Sequence, residues 1–210
     1  MGDLLQPGTP KWHGRSRRIS GFSLISAVLT CILPATALFS NEPAAKLESG
    51  PEVGAAVASF YVRAVTGPFA GKSVCYVCRN GDRPVAMVFL RELGSDVAQL
   101  LKQLDQTVNQ HRADGLRCFV VLLTESSQQD AAKLQTLAFD EKIDLPLTIA
   151  NESAARNSYT SISPDAAVTV ILYDHLKVTR QFSFRSKECD PAAAKTVIAA
   201  TEQLVKNSAP

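Results

Sequence analysis

The chain has 210 residues, of which 46% are hydrophobic and 20% are charged. This composition is typical of a globular protein with enough apolar side chains for a sizeable core. The formal net charge is only +2. Because binding to nucleic acid requires clustered Lys and Arg, this balance argues against a nucleic acid partner.

The first 37 residues have the pattern of an export signal. Residues 11–18 are basic, residues 21–33 are apolar, and Ala35-Thr36-Ala37 offers small residues for cleavage. The segment carries four basic residues and one acidic residue, so its removal changes the net charge from +2 to −1. We predict a signal peptide at 1–37 and an extracytoplasmic protein, periplasmic or secreted. The alternative is an uncleaved membrane anchor, although the apolar stretch is short for a span of about 20 residues.

The rest of the chain is predicted to be a linker followed by one domain. Residues 38–56 are rich in Ala, Glu, Pro, Ser and Gly, as in linkers, and the domain is expected at 57–210. Ser59 to Val65 is a β-prone run. Pro84 to Leu90 is continuously apolar, which predicts a central strand buried on both faces.

Apolar periodicity predicts the later elements. Apolar residues between Val97 and Val108 fall on one helical stripe, and Ser95 or Asp96 is expected to cap that helix. The next elements are expected to be a strand at 116–123, a helix at 130–139, a loop or short extended piece at 145–147 and a helical turn at 152–159. A strand at 168–173, a hairpin connection at 174–177 and an edge strand at 178–184 are expected to follow. Asp190-Pro191 is expected to begin a final helix. The pattern predicts an α/β fold with a mixed sheet and helices on both faces.

This succession, over residues 57–207, resembles the thioredoxin-like superfamily and especially its redoxin and peroxiredoxin-related branch. The resemblance is carried by Phe60–Pro68, Gly71-Lys72 and Arg83–Leu90, which are similar to the family's lead-in to its central strand, and by Asp165–Tyr173 with Lys177-Val178, which are similar to its closing hairpin. The resemblance implies a thioredoxin-like fold, which by itself does not specify an activity.

Two features of the family are missing from the matching positions. The family's reactive cysteine follows the central strand at the start of the next helix, where a thiolate is stabilised. The matching stretch here, Arg91–Ser95, contains no cysteine, and we expect Ser95 to be a helix cap. The family's cis-proline precedes the third core strand, whereas Pro164 lies about four residues before Val168. These departures argue against a peroxidase or a conventional thioredoxin.

The sequence nevertheless contains one dithiol motif, Cys75-Tyr-Val-Cys78. A two-residue spacer allows the two sulfurs to form a disulfide or a dithiol that exchanges with other thiols. Lys72, Arg79 and Arg83 add positive charge that would lower a thiol pKa. Glycine and turn residues around the motif predict an exposed loop before the central strand, which places it at the opposite end of the sheet from the family's usual active site.

Two further cysteines follow in the predicted domain, while Cys31 falls within the signal segment. Cys118 begins the second core strand, and we expect it near the motif, so that Cys75, Cys78 and Cys118 form one sulfur cluster. Cys189 is expected at the far end of the sheet. Export would put these cysteines in an oxidising compartment, where disulfides persist.

The motif has four interpretations that the sequence leaves open. It is a redox-active dithiol, a structural disulfide, part of a metal site, or a pair of free thiols or groups with another role. Zinc usually takes four ligands, and His111 and His175 are more simply surface residues. Attachment of a c-type haem is excluded in its usual form because Arg79 occupies the histidine position, and no cofactor or metal is predicted.

Our leading hypothesis is therefore an extracytoplasmic thioredoxin-like protein that exchanges thiols and disulfides with partner proteins through Cys75 and Cys78, with Cys118 as a possible third thiol. The alternative is a non-catalytic thioredoxin-fold module that binds a partner and carries a structural disulfide.

Overall fold

The computed structural model describes residues 47–150 and 162–208. The strands are β1 (Val62–Ala64), β2 (Ser73–Val74), β3 (Val85–Leu90), β4 (Arg117–Leu123), β5 (Leu147–Ala150), β6 (Val168–Asp174) and β7 (Lys177–Phe184). The helices are α1 (Tyr76–Asn80), α2 (Ser95–Gln110), α3 (Ser127–Glu141) and α4 (Pro191–Ser208). The predicted signal peptide and the helical turn at 152–159 lie outside the described residues.

The described strands form one mixed sheet in the order β2-β1-β5-β4-β3-β6-β7. Strands β3, β4 and β5 are parallel, and β6 is antiparallel to β3 and pairs with β7 in a hairpin. The predicted α/β fold with a mixed sheet is confirmed. The loop or extended piece expected at 145–147 is followed by strand β5, and β2 and α1 were not predicted.

The long helices cover one face of the sheet. Strand β3 is followed by β4 and then by β5 in the same direction across the sheet. Because parallel crossovers are right-handed, two crossovers in the same direction place their helices on the same face. Helix α4 packs beside α2 on that face. Their apolar stripes meet the side chains of Ala86, Val88 and Leu90 from β3, and we call this cluster the helical core.

The opposite face is covered by shorter pieces of chain. Met87 and Phe89 point to this side of β3, where they meet Val57 and Phe60 from the N-terminal segment and Tyr76 and Val77 from α1. We call this cluster the second core. The sheet is therefore covered by helix on both faces, as predicted, although α1 is only five residues long.

Within the segment predicted as a linker, residues from Ser49 onward contact the sheet. The buried Ser49 hydroxyl is 2.7 Å from the Thr169 hydroxyl, and Ala56 forms a β-bridge with Lys177. Neutral hydrogen bonds of this kind typically contribute about 1 kcal/mol each to stability. These contacts attach the chain at the β6–β7 side of the sheet before it crosses to β1.

The predicted ends of several elements are confirmed. The β6–β7 connection uses His175 and Leu176, both at positive φ, as a two-residue hairpin requires. Asp190 accepts the Ala193 N–H at 2.7 Å at the start of α4. The predicted cap of α2 was wrong by one residue: Gly94 is the N-cap, and Ser95 is the first helical residue.

The helical core provides a direct test of this architecture. Leu104 on α2 is fully buried, so Leu104→Ala should lower the free energy of unfolding by about 2–5 kcal/mol through lost burial and a cavity. Gln106→Ala, an exposed position of the same helix, should change it by no more than about 0.5 kcal/mol. Urea unfolding of the purified protein measures both values. Equal effects of the two substitutions would contradict the assignment of the buried stripe.

Candidate functional site

The Cys75–Cys78 motif forms a short helix at the edge of the sheet. Strands β1 and β2 pair with Val62 opposite Val74, and β2 runs directly into Cys75. Cys75 is the N-cap of α1, and its sulfur accepts the backbone N–H of Cys78 at 3.1 Å. The helix ends at Gly81, whose φ of 58° suits glycine. The sequence therefore encodes a helical turn where an exposed loop was predicted.

Cys75 and Cys78 are joined as a disulfide, with their Cα atoms 5.4 Å apart. The two sulfurs differ in their surroundings. Cys75 is only 5% exposed and packs in the second core, whereas Cys78 is exposed. A partner in solution can therefore approach the disulfide from the Cys78 side.

Aromatic rings hold α1 against the sheet. The ring of Tyr76 stacks on Phe119 of β4 with centroids 5.3 Å apart, and Phe69 meets Tyr76 edge-on at 6.4 Å. The Arg79 guanidinium lies 4.0 Å above the centre of the Phe69 ring. Aromatic pairs add about 0.5–1.5 kcal/mol each beyond their buried area, so these contacts fix the helix that carries the disulfide.

Basic side chains surround α1 as the sequence suggested, but they contact backbone and rings. The Arg83 guanidinium donates to the carbonyl oxygens of Asn80, at 3.0 Å, and Arg79, at 3.4 Å. Arg83 thus satisfies carbonyl groups at the end of α1, which have no partner within the helix. Lys72 is exposed in the loop before β2.

Cys118 is a free, buried thiol on β4. Its side chain lies in the helical core, whereas Cys75 packs in the second core on the opposite face of the sheet. Burial, with a smaller contribution from the Asp105 carboxylate, raises the pKa of Cys118 far above its ordinary value. The structure brings Cys75 and Cys78 together and leaves Cys118 as a protonated core residue.

Cys189 is also free and buried, at the other end of the sheet. It lines a cavity of about 380 Å³ together with Gly94, Asp96 and Val168. Burial raises the pKa of Cys189 to about 11, and the Asp96 and Asp190 carboxylates act in the same direction. This thiol therefore stays protonated at neutral pH.

The usual active-site position of the fold lies at this same end, after β3. Residues 91–95 connect β3 to the start of α2 and contain no cysteine. Among residues 47–150 and 162–208 no peptide bond is cis, including the bond before Pro164. Helix α1 leads into the amino end of β3, and its residues Tyr76 and Arg79 line a cavity there with Arg117 and Cys118 of β4.

The histidines considered for a metal site lie apart at the surface. His111 Nδ1 is 2.9 Å from an Asp114 carboxylate oxygen, and His175 Nδ1 is 3.1 Å from an Asp174 carboxylate oxygen. Within the described part of the chain, no three His, Cys, Asp or Glu side chains are grouped as metal ligands. In the same residues, no helix has the length and apolarity needed to cross a bilayer.

Sequence reasoning missed the residues that position the disulfide. The contacts of Tyr76 with Phe119 and of Arg79 with Phe69 join positions far apart in the chain. No local pattern indicates them. The alternation of buried residues in β4 offered one signal, because it places Cys118 and Phe119 on opposite faces of the sheet.

The sequence matches no protein-family model and no curated protein. Solved structures similar to this chain are a DsbF homologue from Corynebacterium diphtheriae (16% identity, 75% of this chain and 95% of that chain, TM-score 0.55) and the peroxidoxin BcpB from Mycobacterium tuberculosis (15% identity, 75% and 98%, TM-score 0.53). A third is the thioredoxin domain of a thiol-disulfide oxidoreductase from Bacteroides vulgatus (16% identity, 70% and 99%, TM-score 0.51). At these identities the likeness concerns the fold, and with the mixed sheet described above it shows that this chain has the thioredoxin-like fold.

Proposed function

We propose that this protein exchanges thiols and disulfides with partner proteins outside the cytoplasm, through Cys75 and Cys78. The observation that carries the proposal is the asymmetric disulfide. One sulfur, Cys78, is exposed to a partner, and the other, Cys75, is buried next to it at the start of the same helical turn. A conventional exchange motif likewise combines an accessible and a shielded sulfur, and the structural neighbours include proteins named as thiol-disulfide oxidoreductases.

The exposure of Cys78 determines the order of the chemical steps. A thiolate of a partner dithiol attacks Cys78 Sγ, so that a mixed disulfide forms, the Cys75–Cys78 bond breaks and Cys75 leaves with the electron pair. The second partner thiolate then attacks the partner sulfur of the mixed disulfide and releases Cys78. The partner is oxidised by two electrons to a disulfide, and Cys75 and Cys78 are reduced and take up protons. The reverse sequence reduces a partner disulfide.

Two opposing effects act on Cys75 as the leaving group. The backbone N–H of Cys78, 3.1 Å from the Cys75 sulfur, stabilises the thiolate. Burial of Cys75 in the second core favours the neutral thiol. The balance between these effects sets the reduction potential of the pair, which makes that potential the decisive quantity.

The second candidate function is a partner-binding module with an inert disulfide. It is favoured by the packing of Cys75 among core side chains and by its role as the cap of α1, because both contacts make the bridge part of the folded structure. The family's usual cysteine is also missing from residues 91–95. The two functions predict different redox behaviour.

The reduction potential distinguishes the two functions. We expect the Cys75–Cys78 pair to equilibrate with glutathione buffers at about −120 to −270 mV, the range of exchange proteins. The measurement is alkylation of the equilibrated protein followed by mass spectrometry of the motif peptide. A potential below about −300 mV would support the structural disulfide and remove the exchange function.

Single substitutions test whether the partner attaches at Cys78 rather than at Cys75. Cys75→Ala should form a stable mixed disulfide with oxidised glutathione, because the exposed Cys78 has no neighbour to resolve it. Cys78→Ala, the matched variant, should react at least about tenfold more slowly, since the remaining thiol is shielded. Intact-mass spectrometry follows both reactions. Faster reaction of Cys78→Ala would show that the partner attaches at Cys75 and would overturn the order given above.

Alkylation of the reduced protein tests whether Cys118 and Cys189 can take part in thiol exchange. At pH 8 we expect iodoacetamide to modify Cys78 and to leave Cys118 and Cys189 unmodified, because burial and raised pKa values keep both as thiols. In denaturant both should react, since the unfolded thiols regain a pKa of about 8.5. Modification of native Cys118 at the rate of Cys78 would instead support its participation as a third thiol.

A further inference from the structure

A cavity of about 280 Å³ opens at the amino ends of the parallel strands. Four arginines contribute to its wall: Arg79 from α1, Arg83 before β3, Arg112 after α2, and Arg117 at the start of β4. Arginine side chains from four separate segments of the chain thus line one cavity. This volume is just below the range of about 300–1,000 Å³ for sites that bind drug-sized molecules, so the cavity suits a smaller ligand.

The positive charge of this cavity is offset in part by the Asp105 carboxylate, which interacts with Arg112. Among residues 47–150 and 162–208, none of the four guanidinium groups forms a salt bridge with a carboxylate. Their partners are neutral: Arg117 donates to the carbonyl oxygens of Leu116, at 2.8 Å, and Arg112, at 3.1 Å. Asp144 is the one acidic residue among the described residues of the wall.

The arginine side chains of the cavity repel one another. Burial first, and then the charges of Arg83 and Arg112, lower the pKa of Arg117 from its ordinary value. Arg79, Arg83 and Arg112 are exposed and Arg117 is partly buried, so solvent screens part of this repulsion. An anion bound between these groups would reduce it further.

One buried polar group of the wall also lacks a partner. Tyr76 is 5% exposed and lines the cavity, and its hydroxyl has no hydrogen-bond partner. The Asn80 amide, 9% exposed in the same wall, interacts with the Tyr173 hydroxyl. Buried donors are nearly always satisfied, so the Tyr76 hydroxyl beside four arginines points to a missing acceptor.

We propose that this cavity binds a small oxoanion with at least two negative charges, a phosphate compound or a dicarboxylate. Guanidinium groups match the paired oxygens of phosphate and carboxylate groups with two parallel hydrogen bonds. The Tyr76 hydroxyl supplies a further donor to the same ligand. This inference concerns a binding site and does not depend on thiol-disulfide exchange at Cys78.

Calorimetric titration of the purified protein tests the site. We expect inorganic phosphate, succinate or both to bind saturably at one site per chain and to raise the melting temperature, whereas chloride at equal ionic strength does neither. Binding of only one of the two probes identifies the ligand class as a phosphate or a dicarboxylate. Absence of both saturable heat and a shift in melting temperature with either probe would overturn the proposal.

Variants assign the binding to this cavity. Arg112→Gln and Arg117→Gln should each weaken binding about tenfold, because each removes charge-assisted hydrogen bonds. Arg180→Gln is the matched control, since Arg180 is exposed on β7 and lies outside the cavity wall. If all three variants bind as tightly as the unmodified protein, the ligand binds elsewhere and the assignment is wrong.

A conservative change separates a ligand-binding role of Tyr76 from a structural one. Tyr76→Phe keeps the ring stacked on Phe119 and removes only the unpartnered hydroxyl. Without ligand, the melting temperature should stay the same or rise, because an unsatisfied buried group is lost. Binding should weaken several-fold. Unchanged affinity in Tyr76→Phe together with unchanged affinity in Arg117→Gln would contradict the proposed site.

Discussion

The structure depends on the complete burial of its central strands. Residues Val85 to Leu90 of β3 are all no more than 1% exposed, so both faces of the sheet must be covered. Right-handed crossovers that proceed in one direction place α2 and α3 on the same face. That connectivity leaves the second face to be covered by the N-terminal segment and α1 among the described residues.

This constraint explains why so short a helix matters. A five-residue helix is unstable by itself, because nucleation is not repaid by enough hydrogen bonds. The Cys75–Cys78 bond, the cap from the Cys75 sulfur and the stacking of Tyr76 on Phe119 all restrain this helix. The disulfide therefore helps to hold α1 over the second core, whether or not it exchanges with a partner.

The same arrangement determines which cysteine of the motif is accessible. When the first cysteine caps a helix at the end of a buried strand, its side chain turns into the core, and Cys75 follows the buried Val74. The second cysteine, three residues later, then faces solvent. Burial thus assigns the accessible role to Cys78, a consequence of how β2 enters α1.

The elements that the sequence predicted well are those with a strong local pattern. Continuous apolar runs identified β3, β4 and β6, and the helical stripe identified α2. Strand β1 lies within the β-prone run at 59–65, whereas β2 has only two residues and lies at the edge of the sheet, where neither burial pattern nor length distinguishes it. The turn residues around Gly81 predicted a loop, because the contacts that stabilise α1 come from distant residues such as Phe119.

The candidate site was predictable in its chemistry but less so in its geometry. Spacing alone placed Cys75 and Cys78 within bonding distance. The position of Cys118 required the side-chain alternation of β4, which puts it on the face away from Cys75. The arginine cavity could not be predicted, since Arg79, Arg83, Arg112 and Arg117 are spread over nearly 40 residues without a motif.

The disulfide and the arginine cavity share helix α1. Tyr76, Arg79 and Asn80 line the cavity, and the bond between Cys75 and Cys78 restrains the turn that carries them. A ligand that requires this turn in its folded position must bind more weakly wherever reduction loosens it. By thermodynamic reciprocity, the same ligand must then stabilise the oxidised pair by an equal free energy. If the proposed anion binds, the position of α1 makes the redox state of the cysteines and the occupancy of the cavity parts of one equilibrium.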